Sequence, residues 1–223
     1  MLDNLIKTYG DGKIKVKVSK THNAQENLEE ESRLFLSVEA KTISNALFFW
    51  MNDECLVRGQ VKSQKYGWYD EQLAQELGIP VYQRTTGGGV VYHDRGNLNW
   101  SIIFSTSGKV LSPEKIFSNG SRFVIKALKN LGFQAAFAAP NRIEIDGKKI
   151  SGMAARSGIS SLLVHGTLLI DSNLERLNML CKPPVGYPPV ANLSEWRDDI
   201  SVDKIIENII GVFQEEGFIV QPS

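Results

Sequence analysis

Residues 83–102, QRTTGGGVVYHDRGNLNWSI, hold the densest set of side chains able to do chemistry. Gly87, Gly88 and Gly89 lie between two strand-like runs. Without a Cβ they let backbone N–H groups approach a ligand and take positive φ. Successive N–H groups of that kind make a concavity suited to phosphate. Arg84 stands just before them, with a planar fork of donors that suits an anionic group. Thr85 and Thr86 add hydroxyls, and His93, Asp94 and Asn97 follow within ten residues of Gly87. A loose glycine turn with solvent-facing neighbours would use the same residues, and their types alone leave both readings open. The spacing is neither the GxxxxGK[ST] loop nor the GxGxxG fingerprint, so those two nucleotide folds are not supported.

The elements that must position this segment alternate in type. KIKVKVS (13–19) puts Ile14, Val16 and Val18 on one face of a strand, and residues 24–38 carry Leu28, Phe35 and Val38 as an amphipathic helix. ALFFW (46–50) and ECLVRG (54–59) read as short strands joined at Asn52-Asp53, a hairpin signal. Asp70 caps a short helix closed by Gly78. PVYQR (80–84) and VVYHD (90–94) flank TTGGG, and NLNWSIIFS (97–105) alternates with Leu98, Trp100, Ile102 and Phe104 on one face. Ser112 and Pro113 start a helix that Gly132 stops. RIEI-DG-KKIS (142–151) is a hairpin around a type I′ turn. SLLVHGTLLID (161–171) is strand-rich, PPVGYPP (183–189) is a stiff crossing, and Ser201 opens a last helix closed by Gly217. Strands outnumber helices and hairpins outnumber βαβ units, which predicts an α+β fold with a mixed or antiparallel sheet and flanking helices. No linker-like stretch interrupts residues 1–223, so one domain is expected.

The glycine segment, RTTGGGVVYHDRGNLNWS, resembles the signature of the lipoate–protein ligase A family, within the biotin/lipoate ligase superfamily. KKISGMAAR (148–156), HGTLLID (165–171), ALFFWMNDECLVRGQVKSQ (46–64) and NAQENLEEESRLF (23–35) are similar to further blocks of that family in the same order. The resemblance implies a two-step reaction. Lipoate and Mg-ATP give lipoyl-AMP and pyrophosphate, and a lysine ε-amine of a lipoyl domain then attacks the mixed anhydride. The acceptors it implies are the lipoyl domains of 2-oxoacid dehydrogenase E2 subunits or the glycine cleavage H protein.

The resemblance places Lys149 as the catalytic cation, where carboxylate and α-phosphate repel. It implies an ATP and phosphate site of Arg84, Gly87, Gly88, Gly89, Val90, Val91, Tyr92, Asn97 and Lys149. It implies a lipoate site of Arg84, Thr86, His93 and Lys149. Lys148 is expected on the opposite face of the strand from Lys149. An acyl chain needs an apolar tunnel, each buried methylene contributing about 0.8 kcal/mol. Phe49, Trp50, Val91 and Leu168 are candidate lining, or simply core. His165 is expected as a hydrogen-bonded strand residue. No metal cluster is visible in three histidines and two cysteines, so Mg²⁺ is expected to ride on ATP phosphates.

The chain departs from the family pattern in three places. Gln83 stands where many relatives have a second arginine. Asn141-Arg142 replaces an Asn-Asp pair, which puts a metal-binding carboxylate there in doubt. The sequence stops at Ser223, so a C-terminal accessory domain is expected to be absent and a separate small protein is a candidate to supply it.

Two rival activities are weighed against this reading. Cysteine-dependent acyl transferases related to this family carry a nucleophilic cysteine before the lysine hairpin, and AAFAAPNRIEIDGKK (135–149) has none. Cys55 and Cys181 read as small buried residues. A lipoate-binding relative without catalysis is the other rival, and retention of Arg84-GGG with Lys149 speaks against it. The GRGRxGR-type loop of biotin ligases is absent.

Composition narrows the class. With 42% apolar and 22% charged residues the chain is an ordinary globular protein. Lys plus Arg and Asp plus Glu both number 25, so no bulk positive field draws nucleic acid or an anionic membrane. The polar N-terminus lacks a signal-peptide core and no run is long enough to span a bilayer. Two cysteines suit a reducing compartment, and a cytoplasmic protein is expected.

Overall fold

Strand β6 (Asn97–Ser105) is buried along nearly its whole length on both faces, so it needs strand partners on each side and helices above and below. The computed structural model, which describes residues 11–60, 68–106 and 112–222, supplies both. β6 pairs antiparallel with β2 (Asn45–Trp50) on one side and with β10 (Ser161–Leu169) on the other. Outward from β2 lie β1 (Lys13–Val18) and β11 (Ile219–Pro222), each joined in parallel. Outward from β10 lie β9 (Lys148–Ser157), β8 (Arg142–Ile145) and β7 (Ala136–Ala138), all antiparallel. The sheet order is β11-β1-β2-β6-β10-β9-β8-β7. A smaller sheet, β4-β3-β5, is built from β3 (Cys55–Arg58), β4 (Val81–Gln83) and β5 (Val90–His93).

Helix α1 (Ala24–Glu39) covers one face of the large sheet with Leu34, Phe35 and Val38 against Ala46, Phe48, Ile103 and Leu163. The other face carries α3 (Pro113–Asn130) and α5 (Val202–Glu215), with Phe123, Val124, Leu128, Ile209 and Phe213 meeting Trp100, Ile102 and Phe104. Phe123 and Phe213 stack with centroids 4.1 Å apart. The small sheet packs on α2 (Glu71–Glu76) and α4 (Leu174–Leu180) through Leu56, Ala74, Ile79, Tyr92 and Leu180. The mixed sheet with flanking helices is the α+β architecture expected from the sequence.

The hairpin expected at Asn52-Asp53 does not form. β2 and β3 belong to different sheets, and the chain crosses between them there. Asn52 is fully buried instead of turning in solvent, accepting from Asn27 Nδ2 at 2.9 Å, while the Asp53 N–H donates to the His22 carbonyl at 2.8 Å. A β2 buried at every position gains more from two flanking strands and two covering layers than from a lone hairpin. The turn at Asp146 (φ 50°) and Gly147 (φ 73°) joins β8 to β9 as the sequence signals. α4, capped by Asn173 on the Arg176 N–H, is a helix the sequence reading passed over. Residues 61–64, part of the block matched at 46–64, lie outside the described residues.

Phe213 is fully buried beneath three other phenylalanines. Phe213→Ala is expected to cost about 3–5 kcal/mol in urea unfolding. Ile219→Ala, at a residue 58% exposed, should change stability by less than about 0.5 kcal/mol.

Candidate active site

A cavity of about 170 Å³ opens where the two sheets meet, with walls from both. β9 contributes Lys149, Gly152, Met153 and Ala154, and β10 contributes His165, Gly166 and Thr167. β5 contributes Val90, Val91 and His93, the glycine loop Gly88 and Gly89, and α1 Leu28. Along β9 the lining passes from cationic at Lys149 to apolar at Met153 and Ala154. Among the described residues no Asp or Glu lines the wall.

Arg84 is 7% exposed and spends its donors on the protein. Nη2 donates to the carbonyls of Gly87 (2.7 Å) and Gly89 (3.0 Å), Nη1 to that of Val57 (3.0 Å) and Nε to Thr86 Oγ1 (3.0 Å). The expected anion-binding arginine therefore folds the glycine loop around itself: it draws in two loop carbonyls and leaves Gly88, at φ 92°, between them. Its side chain reaches the wall, but its fork is engaged. Burial draws its guanidinium down to about 10, opposed by Glu31, so it stays cationic at neutral pH.

Glu31 was not singled out from the sequence. It accepts from His165 Nδ1 at 2.7 Å and, in a short contact, from the Ser101 hydroxyl. His165 Nε2 lies 2.8 Å from Thr86 Oγ1. Thr86 Oγ1 accepts from Arg84 Nε while lying within hydrogen-bond reach of His165 Nε2, and the other ring nitrogen faces the Glu31 carboxylate. Thr86 thus works in a buried relay, Glu31–His165–Thr86–Arg84, and does not line the cavity. Glu31 sits one helical turn from Leu28 on the inward stripe of α1, a polar residue at an apolar position, and that was the available signal.

His93 is fixed by a second relay. Asn27 Nδ2 donates to Asn52 Oδ1, and Asn52 Nδ2 donates to His93 Nδ1 at 2.9 Å. The ring proton is therefore on Nε2, a buried atom at the cavity without a partner among the described residues. Burial, with Arg84 and His165 nearby, pushes the imidazole down to about 3.

Lys149 and Lys148 diverge as the strand alternation requires. Lys148 turns outward to Glu195 Oε2 (2.9 Å) and over the Trp196 ring. Lys149 turns inward, and its ammonium lies over Gly152, where a Cβ would come within 2.9 Å of Nζ. Its ammonium makes no hydrogen bond among the described residues. Burial lowers its pKa, helped by Arg142 and Arg84 and opposed by Cys181 and Glu144. The backbone of β9 is held there by the Pro189 carbonyl and the Ala191 N–H.

Other expected residues lie elsewhere. The Tyr92 ring points into the small-sheet core and donates to Glu54 (2.8 Å), and its N–H is directed at the Cys181 sulfur. Its β5 register puts it on the face away from the cavity. Asn97 is fully buried at the start of β6, donating to Asn99 Oδ1 (3.1 Å), and does not line the cavity. Phe49 and Leu168 belong to the large core, whereas Trp50 and Val91 line the wall. Cys55 is buried and pushed up to about 12. Cys181, distant from Lys149 in sequence, lies near it in space, and burial pushes its thiol up to about 11 against the pull of that lysine.

Residues 23–214 match the family model of the lipoyl protein ligase A/B catalytic domain. A probable lipoate-protein ligase A of Mycoplasma genitalium is 34% identical over 208 residues, covering 87% of this chain and 60% of the relative. The chain thus spans about 60% of the length of that curated relative. A putative lipoate protein ligase of T. acidophilum with bound lipoic acid shares the fold, with TM-score 0.81 at 23% identity, covering 95% of this chain and 88% of that one. A lipoate-protein ligase A bound with ATP aligns with TM-score 0.79 at 25% identity, covering 95% of this chain and 89% of that one.

Two outcomes follow from the geometry. Gly88→Val should abolish ligand binding at this cavity in calorimetry with ATP, because a branched residue resists φ 92° and its Cβ would press on Arg84 Nη2 at 3.0 Å. The buried neutral His93 makes stability pH-dependent. Below pH 6.5 the unfolded chain takes a proton that the folded chain refuses until about pH 3, so stability falls as pH drops through that window. The loss reaches about 1.4 kcal/mol per pH unit. Urea titrations of wild type and His93→Gln should differ by that slope, and parallel pH profiles would contradict it.

Proposed function

The chain belongs to the lipoyl protein ligase A/B catalytic-domain family, and from that premise we propose that it activates lipoate with ATP and passes the lipoyl group to a lysine of a lipoyl domain. The single observation that carries this reading is the half-buried ammonium of Lys149, without a hydrogen-bond partner among the described residues, in a wall that it shares with Gly88 and Gly89 and that continues as apolar surface. Two anions, a carboxylate and an α-phosphate, repel unless a cation lies between them. Lys149 is free to do that because no carboxylate of the described residues makes a hydrogen bond or ion pair with it. The loop backbone at Gly87 to Gly89, Val90 and Val91 would offer N–H donors to phosphate oxygens, preorganised by the grip of Arg84 on two loop carbonyls. Leu28, Trp50, Val91, Met153 and Ala154 would take the acyl chain, and the bare Nε2–H of His93 would meet its polar atoms.

In the first step a lipoate oxygen attacks the α-phosphorus, and the bond to the β-phosphate breaks with its electron pair leaving on pyrophosphate. In the second, the acceptor amine attacks the acyl carbon and AMP leaves. Burial lowers the Lys149 pKa, and anions bound beside it favour its charged form, so ligand and charge reinforce one another. Among the described residues no group of three or more His, Cys, Asp and Glu side chains could hold a metal ion. The wall therefore does not fit a protein-held Mg²⁺, and the ion that the family implies would travel on the phosphates of ATP.

We place the reaction in the cytoplasm, where ATP is available. Among the described residues no helix is long and apolar enough to cross a membrane. The acceptors proposed are E2 lipoyl domains or the glycine cleavage H protein, and residues 1–223 are proposed to act as one catalytic domain, with or without a separate accessory protein. The raised thiols of Cys55 and Cys181 do not favour a thioester route.

Lipoate-dependent ATP–pyrophosphate exchange, followed by lipoylation of a purified lipoyl domain, tests the whole reading. Lys149→Ala should lower the exchange rate at least about 100-fold while the thermal melt stays in place, the scale of loss for a transition-state charge contact. Lys148→Ala, which removes an exposed ion pair with Glu195 and a contact over the Trp196 ring, should leave exchange within about twofold. Equal effects of the two substitutions would sink the assignment.

A further inference from the structure

Arg142 is a cavity-wall cation to which the reading above gives no task. It begins β8 opposite Gly152, the residue over which the Lys149 ammonium lies. Two cations thus stand side by side on neighbouring strands. The β8–β9 register shifts between Ile143 and Glu144, and irregularities of this kind re-aim side chains.

Arg142 is partly exposed, and its guanidinium is steadied from two directions. Nε donates to Glu144 Oε1 at 2.8 Å, and Cζ lies 5.8 Å from the centroid of the Tyr187 ring. Its two terminal amino groups make no hydrogen bond among the described residues. That pair is the part of an arginine that grips two oxygens of one phosphate.

Arg84, Arg142 and Lys149 line the cavity, and among the described residues no carboxylate does. Glu31 and Glu144 counter the two arginines from behind the wall, so the lining itself presents cations, and an anion of more than one charge suits it. Arg84 has spent its fork on the glycine loop, and Lys149 is a single point charge. The open fork belongs to Arg142.

We propose that Arg142 binds the terminal phosphates of the nucleotide and then the departing pyrophosphate, so that this chain supplies from its own side chains part of the positive charge that a divalent ion otherwise provides. The inference rests on the adenylation reading. In that step the α–β P–O bond breaks and its electron pair leaves on pyrophosphate, and Arg142 stabilises the charge as it develops there. No proton, oxidant or further reactant is required. Glu144 holds Arg142 ready in the absence of nucleotide, and the Tyr187 ring limits its swing.

The test uses inorganic pyrophosphate, ATP, AMP and lipoate as separate probes in calorimetry on the full chain, with Arg142→Ala and Arg142→Lys. Loss of a charge-assisted phosphate contact is expected to weaken pyrophosphate and ATP about 10- to 100-fold. AMP and lipoate should bind as to wild type, and lysine should restore part of the loss. In exchange assays the Mg²⁺ concentration for half-maximal rate should rise in Arg142→Ala. Unchanged pyrophosphate affinity in both variants overturns the proposal, as does an equal loss of all four ligands, which would mark a merely structural arginine. If the alanine variant does not fold, the lysine variant carries the same comparison. Pyrophosphate binding needs no turnover. A wild-type chain that binds pyrophosphate through Arg142 yet shows no lipoate-dependent exchange would refute adenylation and keep the phosphate site.

Discussion

A guanidinium buried against three backbone carbonyls sets the shape of the site. Arg84 makes four hydrogen bonds within the protein, each of a charge-assisted kind worth about 1.5–3 kcal/mol. Together they offset the several kcal/mol that desolvating one cation costs. Gly88 is needed because the loop must turn through φ 92° to bring the Gly87 and Gly89 carbonyls to one nitrogen. The neighbouring backbone tolerates no bulk either: a Cβ on Gly59 would strike the Gly87 and Gly88 carbonyls, and one on Gly89 would strike Trp68. The loop is thus moulded from inside by Arg84 and from outside by close packing.

That buried charge also explains the reach of the polar network. Glu31 on α1 gives Arg84 a counter-charge without touching it, acting through His165 and Thr86. The relay ties a helix on one face of the large sheet, a strand inside that sheet and a loop of the small sheet to one charge balance. The small sheet is therefore tied to the large one at the cavity by this polar relay as well as by an apolar cluster in which Ala24 and Leu28 of α1 meet Cys55 and Val57 of β3.

Local chemistry was legible in the sequence, and long-range chemistry was not. Asp146-Gly147, Ser112-Pro113 and Asp70 could be read because a turn or a cap is decided by a few neighbouring residues. Arg84 and the glycines stand out by type and spacing, whereas Lys149 and His93 enter through the family resemblance of the blocks that carry them. Asn52-Asp53 misled because a polar pair between apolar runs signals a hairpin whenever its burial is unknown, and Asn52 is buried by partners on α1 and β5. Tyr92 and Asn97 were taken with their neighbours, but strand alternation turns adjacent residues to opposite faces. Glu31 and Arg142 depend on which strand lies opposite which, and that is a property of the assembled sheet.

β9 carries Lys149 at one point and Ala154, beside His165, at another. Five steps of a regular strand would turn the two to opposite faces, yet both line the cavity. The difference is one residue: Ile143 pairs with Ser151 and its neighbour Glu144 with Lys149, so Ile150 is an extra residue in β9. Such a bulge shifts the phase of the side-chain alternation by one. The strand is held on either side of it, at its start by the Pro189 carbonyl and at its far turn by Glu39, which accepts from the Ile159 and Ser160 N–H groups. A single unpaired residue thus sets which way the strand's cation faces, and a regular β9 one residue shorter would lose that phase.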